Sequence, residues 1–147
     1  MKKLIFLLLI LVSFNVQAKD IKLSCRINLV TSFDNGFSET HQYNEIFTVT
    51  DNGTTKFIIP TSTNFTSVST SNVLSNAVID NSDSSRWSIT NRVTTSYSHS
   101  LTTIEIDRNT GKIWYTNDYM FLKVKGNSRT NKGEGDCEKV DVSKKKF

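Results

Sequence analysis

The sequence predicts an all-β fold, a single antiparallel barrel or sandwich of about eight strands carrying one disulfide. Three observations predict it. Beyond residue 18 the chain holds 48 Ser, Thr and Asn residues, 18 of them Thr, and a single Ala, Ala77. Thr, Val, Ile and aromatic side chains suit a pleated, half-buried surface, whereas Asn, Ser and Gly supply the turns between strands. Several segments alternate apolar and polar residues, the period of a strand with one buried face. The only two cysteines, Cys25 and Cys137, lie close to the two ends of the mature chain.

The first strand is read at 21–30, where Ile21, Leu23, Cys25, Ile27 and Leu29 fall on one face and Lys22, Ser24, Arg26 and Asn28 on the other. It ends in a turn at 32–37 built on Asn35-Gly36. A second strand at 41–50 carries Tyr43, Phe47 and Val49 on one face, and Asp51-Asn52-Gly53 makes a tight hairpin into a strand at 56–59. Pro60 stops that strand, since it cannot donate to a ladder. The polar stretch 61–71 is either an edge strand or a long surface loop. Residues 73–80 are either a strand or a short helical turn, and a turn at 81–85 precedes a strand opened by Trp87-Ser88-Ile89.

The hairpin at 101–115 is the best-defined unit. Ile104 and Ile106 alternate with Glu105 and Asp107, the chain reverses at Arg108-Asn109-Thr110-Gly111, and Ile113 and Tyr115 continue opposite Lys112 and Trp114. A late Gly in a short loop fits a type I turn followed by a bulge. Another strand is expected at 120–125, a mobile polar loop at 126–136 and a terminal strand at 137–142.

Residues 1–18 have the order of a secretory signal peptide: Lys2 and Lys3, an apolar run from Leu4 to Phe14, then Val16-Gln17-Ala18. The run is too short for a bilayer core, which takes roughly 20 residues, so no transmembrane segment is expected. The chain divides into a signal peptide at 1–18, an all-β domain at 19–142 and a basic tail at 143–147. Export points to the periplasm, or alternatively to full secretion, and in an oxidising compartment Cys25 and Cys137 are expected to bridge. Closing a loop of roughly 110 residues adds about 4 to 5 kcal/mol of stability in the chain-entropy account.

Loss of Lys2 and Lys3 with the signal lowers the net charge from +4 to +2, and three of the remaining positive charges sit in Lys144-Lys145-Lys146. The domain therefore lacks the basic footprint of nucleic-acid binding. The tail is either a solubilising end or a contact for anionic envelope material.

The order of a Cys25 strand, Trp87-Ser88-Ile89, the hairpin Ile104-Glu105-Ile106-Asp107-Arg108-Asn109-Thr110-Gly111 and Gly135-Asp136-Cys137 resembles a broad class of small exported bacterial β-proteins of uncharacterised function. The resemblance spans most of the mature chain. It implies the fold and carries over no activity.

Catalytic signatures are missing: there is no nucleophile elbow, zinc-protease helix, P-loop or dinucleotide fingerprint, and no cofactor is expected. His41 and His99 read as surface histidines, and no spacing offers the three or four ligands of a zinc site. Glu105 and Asp107 share a side of one strand, roughly 6 to 7 Å apart, which reads as a solvated acidic face. Among the aromatics Trp114, Tyr115, Tyr119 and Phe121, some must face outward unless the sheet is covered on both sides. Arg108, Trp114 and Tyr119 are the candidate binding residues, because aromatic rings and Arg combine large contact area with directional hydrogen bonds. Trp114 is either such an anchor or a core residue. The expected role is a non-catalytic exported binding protein, an inhibitor or adaptor recognising a protein or envelope component. The alternatives are a carrier with an apolar barrel interior and, third, a hydrolase.

Overall fold

A computed structural model describes residues 19–70, 77–122 and 128–140. The signal segment 1–18, the basic tail 143–147 and the first part of the 73–80 segment lie outside the described residues. Nine strands occur among the described residues: β1 (Lys19–Phe33), β2 (Ser38–Asp51), β3 (Lys56–Pro60), β4 (Val68–Ser69), β5 (Ala77–Asp80), β6 (Arg86–Thr94), β7 (Ser98–Asp107), β8 (Lys112–Phe121) and β9 (Arg129–Lys139). They form one antiparallel sheet in the order β4-β3-β2-β1-β9-β8-β7-β6-β5. No helix long and apolar enough to cross a membrane is found among the described residues, a statement that does not bear on β-barrels.

The sheet curls until its two edges nearly meet. The Ser69 amide of β4 donates to Asn91 Oδ1 of β6 at 3.2 Å, and Lys56 Nζ of β3 lies 2.8 Å from Asp80 Oδ2 of β5. The fold is thus a nearly closed barrel. Alternation decides which residues fill it: Leu23, Cys25, Ile27 and Leu29 from β1 meet Phe47 and Val49, Ile89, Ile104 and Ile106, and Ile113 and Tyr115 in one buried cluster. The first and last strands pair directly, with Cys25 opposite Cys137 and the two joined as a disulfide.

At one end of the interior the apolar layer gives way to a buried polar row. Thr31, Asn131, Asn117, Thr102 and Asn91 are successive cross-strand partners on β1, β9, β8, β7 and β6. Thr31 Oγ1 donates to Asn131 Oδ1 at 2.8 Å, Asn131 Nδ2 to Asn117 Oδ1 at 3.3 Å, and Asn117 Nδ2 to Thr102 Oγ1 at 2.7 Å. Each amide thereby recovers in the interior what it loses from water, which is the condition for burying it.

Three expectations change. The 61–71 stretch is neither a long surface loop nor a full edge strand: only Val68 and Ser69 pair as a strand, and Phe65 is just 4% exposed, set edge-on against Tyr43, Phe47 and Tyr115. Buried Glu45 fixes this segment, accepting the amides of Thr61 at 2.8 Å and Ser62 at 3.0 Å as well as the Ser62 hydroxyl. No new strand begins at Met120, because β8 runs unbroken through Phe121, pairing Met120 with His99 and Phe121 with Ser98.

The predicted loop at 126–136 is the third. From Arg129 onward it is strand β9, lying between β1 and β8. Its inward positions are Asn131, Gly133 and Gly135, so it lacks the apolar alternation by which a strand is recognised. The glycines have a steric reason. A Cβ on Gly133 would sit 3.0 Å from Ile27 Cγ2, and one on Gly135 would sit 2.0 Å from the Arg26 carbonyl oxygen. At Gly135 β9 lies so close to the β1 backbone that no side chain fits, whereas at Gly133 a methyl would be accommodated only if the Ile27 and Leu29 side chains moved aside.

Two outcomes follow from these contacts. Gly135→Ala forces an atom against backbone, which cannot move aside as a flexible side chain would, and is expected to destabilise by about 3 kcal/mol, the upper part of the overpacking range. Urea unfolding measures it, and a loss below about 1 kcal/mol, the bottom of that range, would show that β9 can retreat from β1. The second concerns the 108–111 turn, where Gly111 has φ 73° and Asp107 accepts amide hydrogens from Thr110 at 2.9 Å and Asn109 at 2.8 Å. These amides, that of Thr110 foremost, hold the Asp107 carboxyl below its ordinary value of 3.8. Because the folded value is depressed, the turn keeps this support above the ordinary pKa and loses it as pH falls through the lowered one. The Thr110 amide shift followed by NMR is expected to titrate with a midpoint below 3.8, and a midpoint at or above that value would reject the assignment.

Candidate functional site

The outward positions of the central strands build one row across the sheet: Gln42 of β2, Asn28 of β1, Glu134 of β9, Trp114 of β8 and Glu105 of β7 are successive cross-strand partners. Neighbouring outward residues lie about 5 Å apart across such a ladder, close enough for their side chains to act on one ligand. Trp114 is 41% exposed although both neighbouring strands hold its backbone. Gln42 Nε2 donates to Asn28 Oδ1 at 3.2 Å, which fixes the two amides relative to each other.

Two hollows adjoin this row on opposite sides. One of about 320 Å³ is lined by Asn28, Val30, Trp114, Thr116, Lys132 and Glu134. The other, of about 290 Å³, is lined by Asn28, Lys112, Trp114, Glu134 and Asp136. Gly133 lines the first and Gly135 the second, so the stretch of β9 that lies against β1 also forms part of both hollows. Lys112 Nζ and Asp136 Oδ1 pair at 2.7 Å, while Lys132 and Glu134 supply one charge of each sign.

The three binding residues named from the sequence occupy different parts of the molecule. Only Trp114 belongs to the outer row. Arg108 sits at the hairpin turn with its guanidinium carbon 4.7 Å from the centre of the Trp87 ring, beside a hollow of about 370 Å³ at the barrel end that Ile21, Leu23, Ile106 and Lys139 also line. Tyr119 has the opposite parity from Trp114, near the far end of β8, stacked edge-on with Phe121 at 4.8 Å and lying 5.7 Å from the Arg129 guanidinium. Asn28, Lys132 and Glu134 were not singled out from the sequence. The available signal was the Gly133-Glu134-Gly135 triplet, in which a charged residue between two glycines marks a backbone close to its neighbour with a side chain directed away.

The candidate acids and bases are engaged locally. Glu105 Oε1 accepts the Ser88 hydroxyl at 2.7 Å, and Asp107 caps its turn. His41 is exposed, 3.5 Å from Glu39, and His99 Nδ1 is 2.8 Å from Thr94 Oγ1. Among the described residues no three His, Cys, Asp or Glu side chains gather as metal ligands.

No family model matches the chain, and neither the curated proteins nor the solved structures contain a significant match to it.

Proposed function

We propose that this chain is an exported, non-catalytic binding protein that recognises a protein or envelope component through the outer face of β1, β9 and β8. The observation that carries the reading is the exposure of Trp114, 41%, on a strand paired along both edges. A large ring left on a rigid surface retains area to desolvate, and such rings supply the main anchors of binding sites. The flanking hollows give a partner somewhere to place its own groups.

The carrier reading has less support. It requires small inward side chains around a cavity, whereas the inward faces bear Phe47, Tyr115 and six isoleucines and valines with no solvent exposure, and Phe65 enters from the 61–67 segment. The hydrolase reading would need Glu105 or His99 poised on a substrate, and both have local hydrogen-bond partners.

Trp114→Ala separates an anchor from a core ring. A surface substitution changes stability within about 0.5 kcal/mol, so the melting temperature is expected to move by only about 2 to 4 °C. Truncating a true anchor removes about 2 kcal/mol or more of binding, so the variant should lose the partner detected with wild type by native mass spectrometry of protein from its own host. A stability loss of about 3 to 5 kcal/mol, as for a buried ring, would overturn the reading.

A further inference from the structure

The chemistry of the Trp114 face narrows the class of ligand. Around its indole lie groups that between them donate and accept hydrogen bonds: the Glu134 and Glu105 carboxylates as its direct cross-strand neighbours, and the Asn28 amide, the Thr116 hydroxyl and the Lys132 ammonium along the adjoining hollow. Lys112 and Asp136 neutralise each other at 2.7 Å and Lys132 offsets Glu134, so the residues lining the two hollows carry no net charge, while Glu105 on the other side of Trp114 accepts the Ser88 hydroxyl. A wholly apolar ligand would cover the carboxylate and the ammonium and leave them without water or partners, which is strongly unfavourable. A polyhydroxy ring meets both demands. Its C–H face suits the electron-rich face of the indole, and each hydroxyl can donate to one neighbour and accept from another.

The two hollows add a second constraint. They share Asn28, Trp114 and Glu134 and extend in opposite directions, one toward Val30, Thr116 and Lys132, the other toward Lys112 and Asp136. A ligand of repeating units can fill both at once, with its linkage over the shared row. Because every lining residue is borne on β1, β8 or β9 and none on a loop, the surface is ordered before the ligand arrives and little freedom is lost on binding.

We propose that the Trp114 face binds a neutral polysaccharide, two successive sugar units of one chain lying in the hollows on either side of the Asn28–Glu134–Trp114 row. This rests on the binding role assigned to that face above and names its ligand.

The chain contains two tryptophans, of which Trp87 is buried, so intrinsic fluorescence reports mainly on Trp114 when a ligand covers it. The mature protein is titrated with chitohexaose, cellohexaose and maltohexaose, and with hexagalacturonate as a charged counterpart, by calorimetry and fluorescence. Saturable binding of at least one neutral hexasaccharide is expected, with a blue shift of the emission. Trp114→Ala should weaken it by about 30-fold or more and Glu134→Gln by several-fold, each with the melting temperature moved by no more than about 4 °C. Three results would overturn the proposal: no saturable binding of any neutral probe, tighter binding of the galacturonate, or neutral-sugar binding that Trp114→Ala leaves intact. The broader reading is scored separately. Should the sugars fail while a protein partner from the host is still lost with Trp114→Ala, the face remains a binding site and the glycan assignment falls; if that partner is also retained, both fall.

Discussion

The fit of β9 between β1 and β8 is the constraint on which the rest of the barrel depends. Without it the sheet would separate into β4-β3-β2-β1 on one side and β8-β7-β6-β5 on the other, each with a long unpaired edge. The fit is steric first: Gly133 and Gly135 bring the β9 backbone against Ile27, Leu29 and the Arg26 carbonyl, where a larger residue would hold the strands apart. The Cys25–Cys137 disulfide then ties the strand across the same pair of neighbours. Since the bond joins residues 112 positions apart, it restricts the unfolded chain over almost the whole domain.

Closing the sheet creates an interior that must be filled, and the chain fills it in two ways. Isoleucines, Phe47 and Tyr115 pack the apolar layer, and Phe65 completes it from a segment with little strand structure of its own. Glu45 supports that insertion by accepting the Thr61 and Ser62 amides, alongside the Ile46 carbonyl that also accepts the Thr61 amide at 2.9 Å, and the Tyr115 hydroxyl accepts the Thr66 amide at 3.2 Å. Beyond this layer the Thr31–Asn131–Asn117–Thr102 chain spans four strands. Such a chain is satisfied in one register and broken in any other, so it specifies alignment as well as occupying space.

Packing inside and the proposed recognition face outside share strand β9. The β9 glycines lie close against β1, and the same residues line the hollows flanking Trp114 and Glu134. The proposed binding face belongs to strands that are paired along both edges. Its side chains are displayed on paired strands rather than loops, so the geometry presented to a ligand is set by the fold itself.

How much of this the sequence determined depends on whether the signal was local. Alternation at 21–30 assigns β1 and its buried face, Asn35-Gly36 and Asn52-Gly53 mark turns, and the 108–111 segment defines the β7–β8 hairpin, because each is governed by residues adjacent in the chain. Two cysteines near the ends were enough to place the first and last strands side by side. Tertiary structure alone decided the others. β9 reads as a loop because its inward positions are Asn131, Gly133 and Gly135, chosen to fit Ile27, Leu29 and Asn117 on other strands and not to form an apolar stripe. Phe65 lies in a Ser/Thr-rich stretch whose burial depends on Glu45, some 20 residues earlier along the chain. Of the candidate site, Trp114 was named from the sequence, but as either an anchor or a core ring, and only the structure places it on the outer face. Its partners Asn28 and Glu134 were not, since they come from opposite ends of the chain and become neighbours only when β9 pairs with β1.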